Sequence, residues 1–145
     1  MIRGRAGMGQ ERSHASTASR YNEVMNVETR PYVERSSHYL TQASEEFAQG
    51  DYLQASEKGW GATAQMIKAV AEERGWDHSR HAQLIGTVRQ VVEETGDQEL
   101  WLSFGAARDL HENFYEEQMG AGDVEFHLDQ VRRLTDRLRA LIDGD

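Results

Sequence analysis

From the only proline, Pro31, to the end of the chain, apolar side chains recur every three or four residues, with breaks at glycine-containing turns. That interval places them on one stripe of an α-helix, and no stretch shows the two-residue alternation of a half-buried strand. The breaks fall at "QGD", "RGW", "TGD" and "GAGD". They predict helices over about Pro31 to Ala48, Asp51 to Arg74, Ser79 to Thr95, Asp97 to Met119 and Asp123 to Ile142. Pro31 suits a first helical turn, and Asp123 reads as an N-cap. Connections this short make successive helices antiparallel neighbours, so the expected fold is all-α, an antiparallel up-down bundle of four to five helices. Residues 1–30, rich in Gly, Ser and Arg, are expected to form a flexible N-terminal arm, and residues 31–145 the bundle domain.

The second predicted helix differs from the others. Leu53, Trp60, Ala64, Ile67 and Ala71 share one face, and Ala55, Gly59, Ala62, Met66 and Ala69 form a second face of small residues. Only the strip of Gln54, Glu57, Gln65, Lys68 and Glu72 is clearly polar. A helix covered on most sides is a central or an interface helix.

Charge narrows the partners. The chain carries a net charge of −9 with 28% charged residues and no cysteine. Residues 1–35 hold six Arg and four Glu, which leaves −11 on the remainder. So acidic a body repels phosphate backbones at long range, so DNA is not an expected partner and an RNA contact requires a local basic site. No apolar run reaches the roughly 18 residues that span a bilayer, so no membrane partner is expected. A cytoplasmic location fits the lack of cysteine and of a secretory leader.

The stretch with the most chemical content is "ARDLHENFYEE", residues 107–117. Drawn through Leu100, Phe104, Ala107 and Phe114, the apolar face of the fourth helix centres on His111, with Arg108 and Tyr115 on its flank. Two readings stay open. His111 is either a core histidine satisfied by a carbonyl or by Tyr, or part of a polar strip with Arg108 and Tyr115 that lines a ligand pocket with Trp60 or a dimer seam. In the second case Arg108 and His111 are the catalytic candidates for RNA cleavage, the imidazole moving protons and the guanidinium stabilising phosphorane charge. Strict alternation of the helices would also gather Arg74, His78, His81 and His127 at one pole, with His111 further inside. Histidines so gathered (His78, His81, His111 and His127) could ligate Zn, Ni or Fe. They match no established spacing of metal ligands, and no cofactor is expected.

The segment "GDYLQASEKGWGATAQMIKAVAEERGW", then "HSRHAQL" and "ARDLHENFYEE", resembles the HEPN superfamily of helical bundles, in particular its PaREP-type archaeal and bacterial branch. The "GDY" entry, the Ala55, Trp60, Ala62, Lys68 and Ala71 pattern, His81 with Leu84, and Leu110-His111 ahead of Phe114-Tyr115-Glu116 carry the likeness, over residues 33–142. The resemblance implies a homodimeric bundle associated with nucleotide or RNA, or with a protein partner such as a nucleotidyltransferase. Members that cleave RNA keep a longer Arg-to-His interval than Arg108 and His111 have. Arg74 and His81 have that interval only across a helix junction. The expectation is therefore a binding or partner module that is not an efficient enzyme. A divergent metal-independent RNase using Arg108 and His111, or Arg74 and His81, is one alternative, and a metal-dependent bundle enzyme is another.

Overall fold

The computed structural model describes residues 25–144, and these form five helices: α1 (Arg30–Ala48), α2 (Tyr52–Arg74), α3 (His81–Thr95), α4 (Gln98–Glu116) and α5 (Ala121–Asp143). Among the described residues there is no strand. The expected helical bundle is what the chain forms. No helix of it is long and apolar enough to cross a membrane.

Gly50, Gly75 and Gly96, all at positive φ, follow the ends of α1, α2 and α3 as expected. Helix α4 stops at Glu116 rather than Met119, with Glu117 left-handed at φ 54°, and Ala121 and Gly122 of "GAGD" already belong to α5. Asp51 starts α2, its carboxylate accepting from the Gln54 amide at 3.1 Å, and Asp97 does the same for α4 through Glu99. Gly75 closes α2 with φ 74°, a left-handed conformation that a side chain disfavours. Asp123 does not cap α5 as predicted. Gly120 takes that position, and Asp123 reaches back from the first turn to accept the Gly120 amide at 3.3 Å.

Helix α2 packs against each of the other four, which is the central place its two apolar faces foretold. Its small residues let neighbours come close. A Cβ on Gly59 would stand 2.7 Å from a Leu128 methyl and 2.9 Å from one of Leu110. On the α1 side, the buried Ser36 hydroxyl donates to the Ala62 carbonyl at 2.8 Å. Around this axis lie Val33 and Ala43 of α1, Leu100, Phe104, Ala107 and Leu110 of α4, and Val124, Leu128, Val131, Leu134 and Leu138 of α5, all buried.

One connection departs from strict alternation. Gly75–Arg80 doubles back along α2 before α3 begins. His81 consequently lies beside Trp60, while Arg74 pairs with Glu94 near the end of α3. Helix α3 therefore runs in the same direction as α2, with α4 returning antiparallel to both. This reversal carries His81 most of the length of α2 away from Arg74.

Of the arm expected over residues 1–30, residues 1–24 lie outside the described residues. Met25 is buried, and the Asn26 amide and the Thr29 hydroxyl both donate to the Glu73 carboxylate at 2.9 Å.

Candidate functional site

Where α4 crosses the first half of α2 and the start of α3, a cleft of about 370 Å³ opens, lined by Trp60, His81, Gly105, Arg108, Asp109, His111 and Glu112. That volume is within the range, roughly 300–1,000 Å³, of small-molecule sites. Its aromatic centre is one buried indole carrying two imidazoles. The His111 ring stacks on Trp60 at 5.0 Å between centroids with 26° between planes, and His81 lies 5.5 Å from the same indole at 41°. Trp60 is held from beneath by Phe104, and Tyr115 meets the edge of His111 at 5.5 Å.

His111 does not sit at the centre of the buried face of α4. Leu110 and Asn113 sit there with Leu100, Phe104 and Ala107, and His111 is displaced to the rim with 36% of its side chain exposed. The predicted stripe omitted Leu110, and one position on a helix is a rotation of about 100°. The rim placement gives His111 a partner that a core position would not have. Its Nδ1 donates to the Glu57 carboxylate at 3.0 Å, because a carboxylate can only accept, and Nε2 is left for other contacts.

Arg108 lies on the exposed surface with its guanidinium 5.6 Å from the Phe104 ring. It forms no ion pair among the described residues, whereas Arg74, Arg132, Arg137, Arg139 and Lys58 each have one. The Arg108 guanidinium has no hydrogen-bond partner among the described residues, which is also true of the exposed Arg89 over Trp101.

The structure brings Trp60, His81, Arg108 and His111 together around one cleft, with Tyr115 against His111. It does not bring together the polar group expected from strict alternation. Arg74 is spent on Glu94 and on Trp76, near the far end of α2. His78 bonds Glu72 at 2.8 Å and meets the edge of Tyr32. His127 donates Nδ1 to the Asp123 carbonyl at 2.7 Å, with Nε2 3.6 Å from Asp109, behind the cleft. Among the described residues no three His, Asp or Glu side chains group closely enough to hold a metal.

Two contributors were not singled out by sequence. Glu57 stands three residues before Trp60, at the edge of the polar strip next to the indole, a spacing that could have paired it with the indole's neighbours. Asn113 is a buried polar side chain. It donates to the Ser56 hydroxyl at 3.0 Å, and its carbonyl accepts from the Gln118 and Met119 amides, which fixes the end of α4 just beyond the cleft. Trp101 is half-buried, with the Arg89 guanidinium over its ring.

The model of the archaeal PaREP1/PaREP8 family matches residues 31–135. The chain belongs to that family. The match takes in α1 to α4 and more than half of α5, and with them every residue of the PaREP cleft. No curated protein and no solved structure matches the chain.

Proposed function

We propose that this PaREP chain is a HEPN-like binding module whose cleft takes a nucleotide, free or at the end of an RNA strand. One observation carries the reading: an arginine without a carboxylate partner beside two imidazoles set against one indole, His111 stacked and His81 tilted, on a chain whose net charge is −9. A planar ring can lie on His111 or His81 while a phosphate meets Arg108 with charge-assisted hydrogen bonds. Asp109 and Glu112 at the same rim repel a bare polyanion and accept from sugar hydroxyls or base amino groups. The test is equilibrium binding of AMP to the full chain. Arg108→Ala is expected to weaken it by about tenfold or more, the size of one lost charged hydrogen bond. An affinity equal to that of the wild type removes the reading.

RNA cleavage is the second reading, favoured by the Glu57–His111 pair beside Arg108. A carboxylate on Nδ1 orients the ring so that Nε2 can take or deliver a proton at a phosphodiester. Incubation with total RNA, wild type against His111→Ala and His81→Ala, decides it: RNA left intact by all three proteins ends the nuclease reading and leaves the binding one.

The module is proposed to act as a homodimer, or with a protein partner such as a nucleotidyltransferase. Leu102, Tyr115 and Phe126 on α4 and α5 are large apolar side chains left exposed, as an interface requires. Light scattering over a concentration series checks the dimer, and a single monomer mass throughout contradicts it.

A further inference from the structure

Next to the Arg108 cleft lies another of about 230 Å³, and Trp60 and His81 line both. Its remaining polar wall comes from Lys68 of α2 and from His78, Ser79 and Arg80 of the reversed connection. Neither Lys68 nor Arg80 forms an ion pair among the described residues, although this body is rich in carboxylates. The nearby acids are already engaged. Glu72 is bonded by His78, and Asp77 accepts from the Ser79 amide at 3.1 Å and from Gln83 at 2.9 Å.

Both clefts set an imidazole against Trp60 beside cationic side chains that form no ion pair among the described residues. These are His111 with Arg108 in the first, and in the second His81, which lines both, with Lys68 and with Arg80, whose charge also acts on Asp77. A mononucleotide fills one such unit and leaves the other empty. We infer that the second cleft is an anion subsite, so that the full site takes two consecutive nucleotides of a single strand, one phosphate at Arg108 and the other at Lys68 and Arg80. This rests on the Arg108 cleft being a nucleotide site. The gain comes from one additional stack and one additional phosphate contact, each of which ordinarily contributes several-fold or more.

The experiment compares AMP with the dinucleotide pApA on the full chain, in wild type, Arg108→Ala and the double variant Lys68→Ala/Arg80→Ala, with thermal melting to confirm that each is folded. The wild type is expected to bind pApA at least about tenfold tighter than AMP. The double variant should lose that preference while its AMP affinity stays within about twofold of the wild type, and its pApA binding should depend less on salt. Equal affinity of the wild type for the two ligands, or a preference that survives the double substitution, overturns the second subsite and leaves the first reading intact. Binding of neither ligand by the wild type overturns both.

Discussion

Two neighbouring contacts between α2 and α4 differ by a single residue on each helix. Gly59 meets Leu110, and Trp60 meets His111. At the first, a missing Cβ lets a fully buried leucine press onto the backbone of α2, with Leu128 of α5 closing the gap. At the second, the rings stack at the edge of the core, and the cleft opens beside them because α3 has been led back only as far as His81. The first contact fixes how α2, α4 and α5 pack. The second uses that fixed backbone to hold an imidazole, a carboxylate and an arginine where solvent reaches them. Rigid helices place such a constellation more reproducibly than loops do.

The contrast can be broken most severely at Leu110. Leu110→Ala removes a side chain with no exposed surface and should cost about 2–5 kcal/mol in stability, read from denaturant unfolding. Arg108→Ala, two positions away on the surface, should stay within about 0.5 kcal/mol of wild type in the same experiment. A comparable loss from both would mean that the cleft is part of the core. Gly59→Val tests the close approach itself. The added branches have to displace Leu110 and Leu128, and such overpacking costs about 1–3 kcal/mol.

A second helical glycine makes the complementary test. A Cβ on Gly105 meets nothing within 4 Å, and the residue lines the cleft. Gly105→Ala is therefore expected to stabilise the chain by about 0.5–1 kcal/mol through the backbone alone while narrowing the site, so that melting temperature and AMP affinity move in opposite directions. The smallest effect belongs to the connection. Hydrogen bonds from the Ser79 amide and hydroxyl and from Gln83, together with the charge of Arg80, hold the Asp77 carboxyl below the usual carboxylate range. The fold thus favours the ionised form. Its contribution is complete above the ordinary carboxylate range and is lost as pH falls through the lowered value. The protection of the Ser79 amide against hydrogen exchange, relative to its intrinsic rate at each pH, should fall on acidification, and Asp77→Asn should remove that dependence.

The helices were legible because their apolar period, caps and glycine stops are local. The stripe of α1 through Val33, Ser36 and Ala43 and that of α5 from Val124 to Leu138 are buried as the period requires. The side chains around the cleft were legible as candidates, but their arrangement was not. Trp60, Arg108, His111 and Tyr115 do converge, but the orientation of His111 turned on whether Leu110 was counted in the stripe. The path of Gly75–Arg80 is the other gap. Periodicity says nothing about six residues outside a helix, and their direction decides that His81, not Arg74, reaches the cleft. Asn113 was hidden for a related reason, since its polar side chain is buried by satisfying backbone amides beyond the helix end, a long-range arrangement with no local signature.

The central claim is that the rim of α4 beside Trp60 is a ligand surface standing on an inert core. Backbone amide shift mapping during titration with AMP tests it most directly. Perturbations gathered at residues 57–60, 81 and 105–112, absent in Arg108→Ala, are the predicted result. Shifts confined to the α1 and α5 side of α2, or no shifts at saturating AMP, would contradict it.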